Sequence, residues 1–354
     1  MEKAFGIRHR VEPIGQLIAA LAAAEDTVSR LDERTRSPLG DGLCARLDFH
    51  EACAWAWNRG ELVHLEDLVL HDEELDVRTP DQELTRTRVA LRLWRRAGSI
   101  KPADLLSATG VRRLINPRRG MRSRAVSDLL AAAGGRSDLL AGDGHAPPLE
   151  DGMTEIEDLL SRAAAITTED NDEALDQWFA LEREVPTSWP ALLRAALLLE
   201  AWVVVDPLPR HGHIGAVLAN ALLQRSGRLR HHRLHVEIGR RRLTRDVRRP
   251  ERQSGLRRLI WQLRAIAAGE AFALEEYDRI SLARQVVSLG LVGRRSSSRL
   301  AEVIELFTDH PIVTASMISE RLKVSQQAAR SLVGQMGASV VEVTGRARYQ
   351  AWRL

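Results

Sequence analysis

Residues 298–354 read SRLAEVIELFTDHPIVTASMISERLKVSQQAARSLVGQMGASVVEVTGRARYQAWRL, three helical patterns followed by an alternating one. Leu300, Val303, Ile304 and Phe307 recur at helical spacing until Asp309-His310-Pro311 interrupts them, because the residue before a proline avoids the helical region. Thr314 is placed to cap a second helix with Met317, Ile318 and Leu322 on its inner face. A short turn at Lys323-Val324 leads to Ser325, the expected N-cap of a third helix from Gln326 to about Met336. At about 100° per residue, Ala328, Ala329, Leu332, Val333 and Met336 share one side of that helix. Gln327, Arg330, Ser331 and Gly334 share the other, with Gln326 at its edge. The outer side therefore offers amides, a guanidinium and a hydroxyl, and no carboxylate. Such groups pair with base edges and phosphates.

After Gly337 the period changes to alternation, with Val341 and Val343 before Thr344-Gly345-Arg346-Ala347 and Arg348 to Trp352 after it. Two short strands around a basic tip make a β-hairpin. This order resembles the winged helix-turn-helix family along the whole segment. The resemblance implies double-stranded DNA as partner. The expected contacts are Lys323 and Ser325 at the turn, Gln326, Gln327, Arg330 and Ser331 on the third helix, and Arg346 and Arg348 on the hairpin. The alternative is a small bundle that only packs on the rest of the protein.

Working outward, the 354 residues suffice for two or three domains. Lysine and arginine total 51 against 48 acidic residues, so a net charge of +3 does not by itself mark a nucleic-acid binder. Two cysteines, Cys44 and Cys53, provide neither a disulfide framework nor a metal-ligand spacing. The N-terminus lacks a signal-peptide core, and the apolar run Leu17 to Ala24 is too short to span a bilayer. A cytoplasmic protein with no membrane partner and no cofactor is expected. A homodimer is compatible with the sequence.

Before the C-terminal segment the chain reads as mostly α. Helices are expected over 14–34, 43–58, up to about His71, and 81–96. His64, Asp67 and His71 share a helix face, yet no second ligand cluster accompanies them, so a solvated helix edge is preferred to a metal site. Residues 97–153 lack apolar periodicity and read as a connecting region. The expected organisation is an N-terminal helical region over 1–133, a linker at 134–152 rich in Gly, Pro and Asp, a helical domain over 153–294 and the C-terminal module over 298–354. Within the third region PALLRAALLLEAWVVVDPL, from Pro190, is apolar almost all round and is expected at the core. Leu256–Ala273 and Tyr277–Leu289 read as two further helices. Between Arg225 and Arg258 many arginines are interspersed with His231, His232 and His235. This stretch suits phosphate neutralisation, a solvated loop, or pairing with the acidic runs at Glu169–Asp176 and Asp72–Glu74.

The stretch after the apolar helix, VVVDPLPRHGHIGAVLANALL, resembles the Fic-family signature in outline, a core helix, a loop and a Leu-rich helix. The loop stands here as Asp206, Pro207, Leu208, Pro209, Arg210, His211, Gly212 and His213, with Gly215 in the following helix. The resemblance implies a helical Fic-like bundle ahead of the winged helix-turn-helix with its small hairpin. It also implies that Asp206 stands where the family's catalytic histidine would be, and the Asn-Gly-Arg run that cradles phosphates is absent. The family's transfer reaction needs a neutral base and a built anion site, so the motif is degenerate and no catalytic residue is assigned. The whole chain also resembles an uncharacterised bacterial family, a domain of unknown function ending in a helix-turn-helix domain. WNRGELVHLEDLVLHDEELDVRTP, Trp57 to Pro80, carries that likeness. The expected function is DNA binding in transcriptional regulation. A Fic-type nucleotidyl transferase with altered residues and a protein-interaction module are the alternatives.

Overall fold

The computed structural model describes residues 2–76, 79–116, 149–243, 254–290, 297–343 and 350–354. The helices are α1 (Glu2–Arg34), α2 (Gly40–Asn58), α3 (Leu65–Asp72), α4 (Gln82–Ala97), α5 (Pro102–Leu105), α6 (Ala108–Ile115), α7 (Leu149–Ala164), α8 (Asn171–Glu184), α9 (Ala191–Val205), α10 (Ile214–Arg225), α11 (Val236–Leu243), α12 (Gly255–Gly290), α13 (Ser297–Asp309), α14 (Ala315–Leu322) and α15 (Gln326–Gln335). The strands β1 (Val313–Thr314), β2 (Val341–Glu342) and β3 (Ala351–Arg353) form one antiparallel sheet in the order β1-β3-β2. The protein is mostly α with a small sheet near its C-terminus. No described helix is long and apolar enough to cross a membrane.

Two expectations change. Residues 97–116 are not merely connecting. They hold α5 and α6, with Ser107 Oγ accepting from the Gly110 amide at 3.0 Å and Leu105, Val111 and Leu114 buried. These helices are too short to show a period. The expected pair of helices over 256–289 is one helix, α12, because Leu274-Glu275-Glu276 between them contains no residue that breaks a helix. The expected linker falls, over 134–148, outside the described residues.

The described residues belong to two compact units. One draws on Met1–Glu25, Arg92–Leu229 and Arg248–Arg264. Its centre is α9, where Leu192 to Trp202 are all buried, as the apolar sequence requires. Trp202 meets Trp178 of α8 edge to face at 5.2 Å, and the Trp178 indole N–H donates to the Leu198 carbonyl at 3.3 Å. Gly215 of α10 lies against the same Trp202, and a Cβ there would fall 2.5 Å from the indole carbons. Glu200, wholly buried on α9, accepts from Arg258 Nε at 2.7 Å and Gln262 Nε2 at 2.8 Å.

The other unit draws on Asp26–Leu91, Arg230–Val247 and Ala265–Leu354. It is built around α2, whose buried residues exceed the single apolar face expected of a surface helix. Phe49, Cys53, Trp55 and Ala56 of α2 share one apolar cluster with Leu300, Val303, Ile304 and Phe307 of α13 and with Ile318, Leu332, Val333 and Trp352 beyond it. Arg46 is buried beside this cluster. It donates to Glu276 at 3.1 Å and to the carbonyls of Phe307 and His310 at 3.1 and 2.8 Å. Burial lowers the pKa of this guanidinium to about 10 although the Glu276 carboxylate favours its charge. The C-terminal module therefore shares its core with the segment Asp26–Leu91.

Candidate functional site

The C-terminal module is held by local chemistry that its sequence states directly. Thr314 Oγ accepts from the Met317 amide at 3.1 Å and starts α14, and Ser325 Oγ accepts from the Ala328 amide at 3.2 Å and starts α15. Between them Lys323 takes a left-handed conformation, φ +54°, ending α14. Ser319 Oγ donates to the Val324 carbonyl at 2.6 Å and pins the turn. On α15, Ala329, Leu332 and Val333 are buried, as is Met336 just past its end, and Ala328 is half-buried. Gln326, Gln327, Arg330 and Ser331 are exposed, as are Lys323 and Ser325 before them. Gln326 Nε2 reaches Ser316 Oγ on α14 at 3.4 Å. Arg346 and Arg348 lie outside the described residues, but the strands that flank them pair. Val341 is opposite Arg353 and Glu342 opposite Trp352, and the Val343 amide donates to the Ala351 carbonyl at 2.9 Å. Strand β1, unexpected from the sequence, adds Val313 opposite Trp352. Two residues are too short to carry a readable alternation.

Several arginines of the stretch have partners among the described residues. Arg233 Nε donates to Asp48 at 3.1 Å, Arg240 pairs with Glu237 at 2.7 Å and Arg242 with Glu275 at 2.9 Å. The Arg241 guanidinium lies over the Trp57 ring at 5.3 Å. Neither expected acidic run supplies these partners. Arg245, Arg248, Arg249 and Arg252 lie outside the described residues. Two of the three histidines are buried against carboxylates. His232 is buried between Asp32 and Glu270, its ring nitrogens 3.0 Å from each carboxylate, and His235 Nδ1 is 3.4 Å from Glu270. Burial opposes charge on His232, yet Glu270 and Asp32 outweigh it and raise its pKa to about 9. Glu51 of α2 accepts from the amides of Glu237 and Ile238 at 2.8 and 3.0 Å and so holds the start of α11. Burial, then the neighbouring Glu237, push its carboxyl well above the usual range. His71 is 2.8 Å from Asp76, and among the described residues no three His, Cys, Asp or Glu side chains are grouped as metal ligands.

The loop after α9 begins with Asp206 in a left-handed conformation, φ +44°, its amide donating to the Trp202 carbonyl at 2.8 Å. Asp206 thus terminates the core helix. Pro207 is buried, and Pro209–His211 form a single tight turn with Arg210 exposed. His211 and Gly212 are half-buried and His213 is fully buried at the start of α10, its ring 6.0 Å from that of His211. Burial, then the adjacent Arg210, lower the pKa of His211. The turn borders an open cleft of about 1140 Å³, lined also by the end of α6 and the start of α8.

With this geometry in view, residues 300–354 match an HTH DNA binding domain, and residues 166–291 match a protein of unknown function, DUF1612. The chain is 34% identical over 363 residues to the uncharacterized protein y4cF of Sinorhizobium fredii, covering 92% of this chain and 93% of that protein. The chain belongs to this family. Its DNA-binding domain begins within α13, so the family match and the shared core with α2 overlap on Leu300 to Phe307. A solved Fic family protein from Desulfovibrio desulfuricans G20 aligns with 96% of this chain and 95% of its own, at 11% identity and a TM-score of 0.42. That likeness decides neither fold nor activity.

Proposed function

We propose that this member of the y4cF family is a sequence-specific DNA-binding protein that acts in transcriptional regulation, with α15 as the helix that enters the major groove. The observation that carries the reading is the exposed face of α15. Within a segment that matches an HTH DNA binding domain, Gln326, Gln327, Arg330 and Ser331 are exposed and no carboxylate accompanies them. Glutamine is suited to adenine and arginine to guanine or phosphate. Lys323 and Ser325 would meet the backbone at the turn, and Arg346 and Arg348 would add phosphate contacts at the hairpin. One such helix reads only a half-site, so a homodimer on a two-fold symmetric sequence is the assembly this reading favours. The degenerate loop, with Asp206 at the base position, would carry no transferase activity, which incubation with labelled ATP checks directly.

The test is selection from a random duplex pool, followed by binding as a function of salt. Wild type should enrich a defined sequence, and its affinity should fall linearly with salt on logarithmic axes. Gln327→Ala should relax the preference at one base pair, a loss of about 1–3 kcal/mol of discrimination. Arg330→Ala should weaken binding further, while Leu332→Ala, a buried position, should unfold the module at a cost of roughly 2–5 kcal/mol. Absence of any affinity of folded wild type for duplex DNA at low salt would sink the reading.

A further inference from the structure

Most large hydrophobic side chains exposed among the described residues are scattered singly, which is ordinary for a folded surface. Helix α12 is the exception. Near its C-terminal end Leu282, Val286 and Leu289 are 63, 51 and 74% exposed. Their spacing, four residues and then three, puts them on one face of the helix. Val287 of the same turns is buried in the cluster that α2 shares with α13, α14 and α15, and Ala283 packs against that cluster. Residues 280–290, ISLARQVVSLG, contain a single charge, that of half-buried Arg284. A solvated helix face carries charged and polar residues. This one carries two leucines and a valine, with exposed Gln285 beside them. One turn earlier, Asp278 pairs with Arg34 at the surface. An apolar centre with polar groups at its edge is the anatomy of a protein interface.

We infer that this face of α12 is the centre of a two-fold contact with a second copy of the chain. Leucine, valine and leucine at this spacing make the d, a, d run of a heptad, and a β-branched residue at a with leucine at d favours two parallel strands. The face offers no charge to recognise a charged partner. It does suit its own copy, because in a two-fold contact each residue near the axis meets itself. The three side chains present roughly 300 Å² of apolar surface, the size of a functional patch on a monomer. A standard interface buries about 800 Å² per partner, so the contact is a small one and the dimer reversible. On the DNA-binding reading, on which the choice of a second copy rests, α15 reads one half-site and two copies are needed. Ala283 and Val287 tie α12 to the cluster that holds α15, so a two-fold axis at α12 repeats α15 as well.

The experiment is sedimentation equilibrium of the full chain without DNA. Wild type should show a reversible monomer–dimer equilibrium between about 1 and 200 μM, the range of a small interface. Leu282→Glu and Val286→Glu each set a carboxylate against its own copy and should raise the dimer dissociation constant about tenfold or more. Circular dichroism melts establish that each variant is folded. Val89→Glu, at an exposed apolar position on α4, should leave the constant unchanged. Val286→Cys gives a second readout that introduces no charge: mild oxidation should link two chains through this residue, and should not link Val89→Cys or wild type, whose own cysteines are buried or half-buried. A wild type that stays monomeric across the whole range overturns the inference. So does a dimer that neither glutamate variant weakens and Val286→Cys does not link, because its contact then lies elsewhere on the chain. The two readings fail separately. A dimer weakened by Val286→Glu but without affinity for duplex DNA sinks the DNA-binding reading and leaves this contact, whereas wild type that binds DNA and stays monomeric sinks this contact alone.

Discussion

Buried His232 and half-buried His50 of the α2-centred unit should give its stability a pH profile with two flanks. His232 is charged between Glu270 and Asp32, and its pKa rises from an ordinary value near 6.5 to about 9. A raised folded-state pKa means the native protein holds this proton more tightly than the unfolded chain. The contribution is therefore complete below about 6.5 and lost as the pH climbs through 9. His50 behaves oppositely. Burial lowers its pKa to about 4, so the unfolded chain takes up this proton first and stability falls as the pH drops from 6.5 toward 4. Chemical denaturation across pH should show both flanks, and His232→Gln should remove the alkaline one. An unchanged alkaline flank in that variant would show that the ring is not charged in the native state. Neither histidine was legible from its neighbours in sequence, because Asp32, Glu270 and Phe272, which surround them, lie far along the chain.

Helix α11 shows how a short element is fixed by others. Its eight residues include three arginines and have little intrinsic reason to form a stable helix. Glu51 holds its first amides and Arg242 reaches Glu275, while Arg240 pairs with Glu237 within the helix. Gly239 permits the close approach, since a Cβ there would fall within contact of the Ala265 carbonyl and the Gly269 amide, both backbone. Backbone cannot swing aside as a side chain can. Gly239→Ala should thus destabilise by about 1–3 kcal/mol or more, against an ordinary gain in helix propensity. Equilibrium unfolding measures the sign; a neutral or stabilising result would mean the two helices separate at little cost. In contrast α14 and α15 were legible from the sequence almost to the residue. Their caps, Thr314 and Ser325, and their buried faces are set by residues three or four positions away.

At the scale of the molecule, the segment that matches an HTH DNA binding domain does not own its core. Phe49, Trp55 and Ala56 of α2 lie in the same cluster as Leu300, Val303, Phe307 and Leu332. Residues 297–354 produced alone should therefore expose the apolar face of α13, melt well below the full chain and show poorly dispersed amide resonances. Phe49→Ala should cost roughly 3–5 kcal/mol and loosen α13, although the two are far apart in sequence. A sharply folded, equally stable isolated segment would show the shared cluster to be dispensable. By itself the sequence determined the helical character of the chain, the apolar core helix α9 and the order of the C-terminal module, because caps, turn residues and hydrophobic period act within a few residues. Only the tertiary structure decided that the arginine stretch pairs with Asp48 and Glu275, that α2 is covered by α11 and α13, and that Arg113 and Arg210 share a cleft. Those outcomes depend on which distant segments meet, and a charge or a small residue has no period that names its partner.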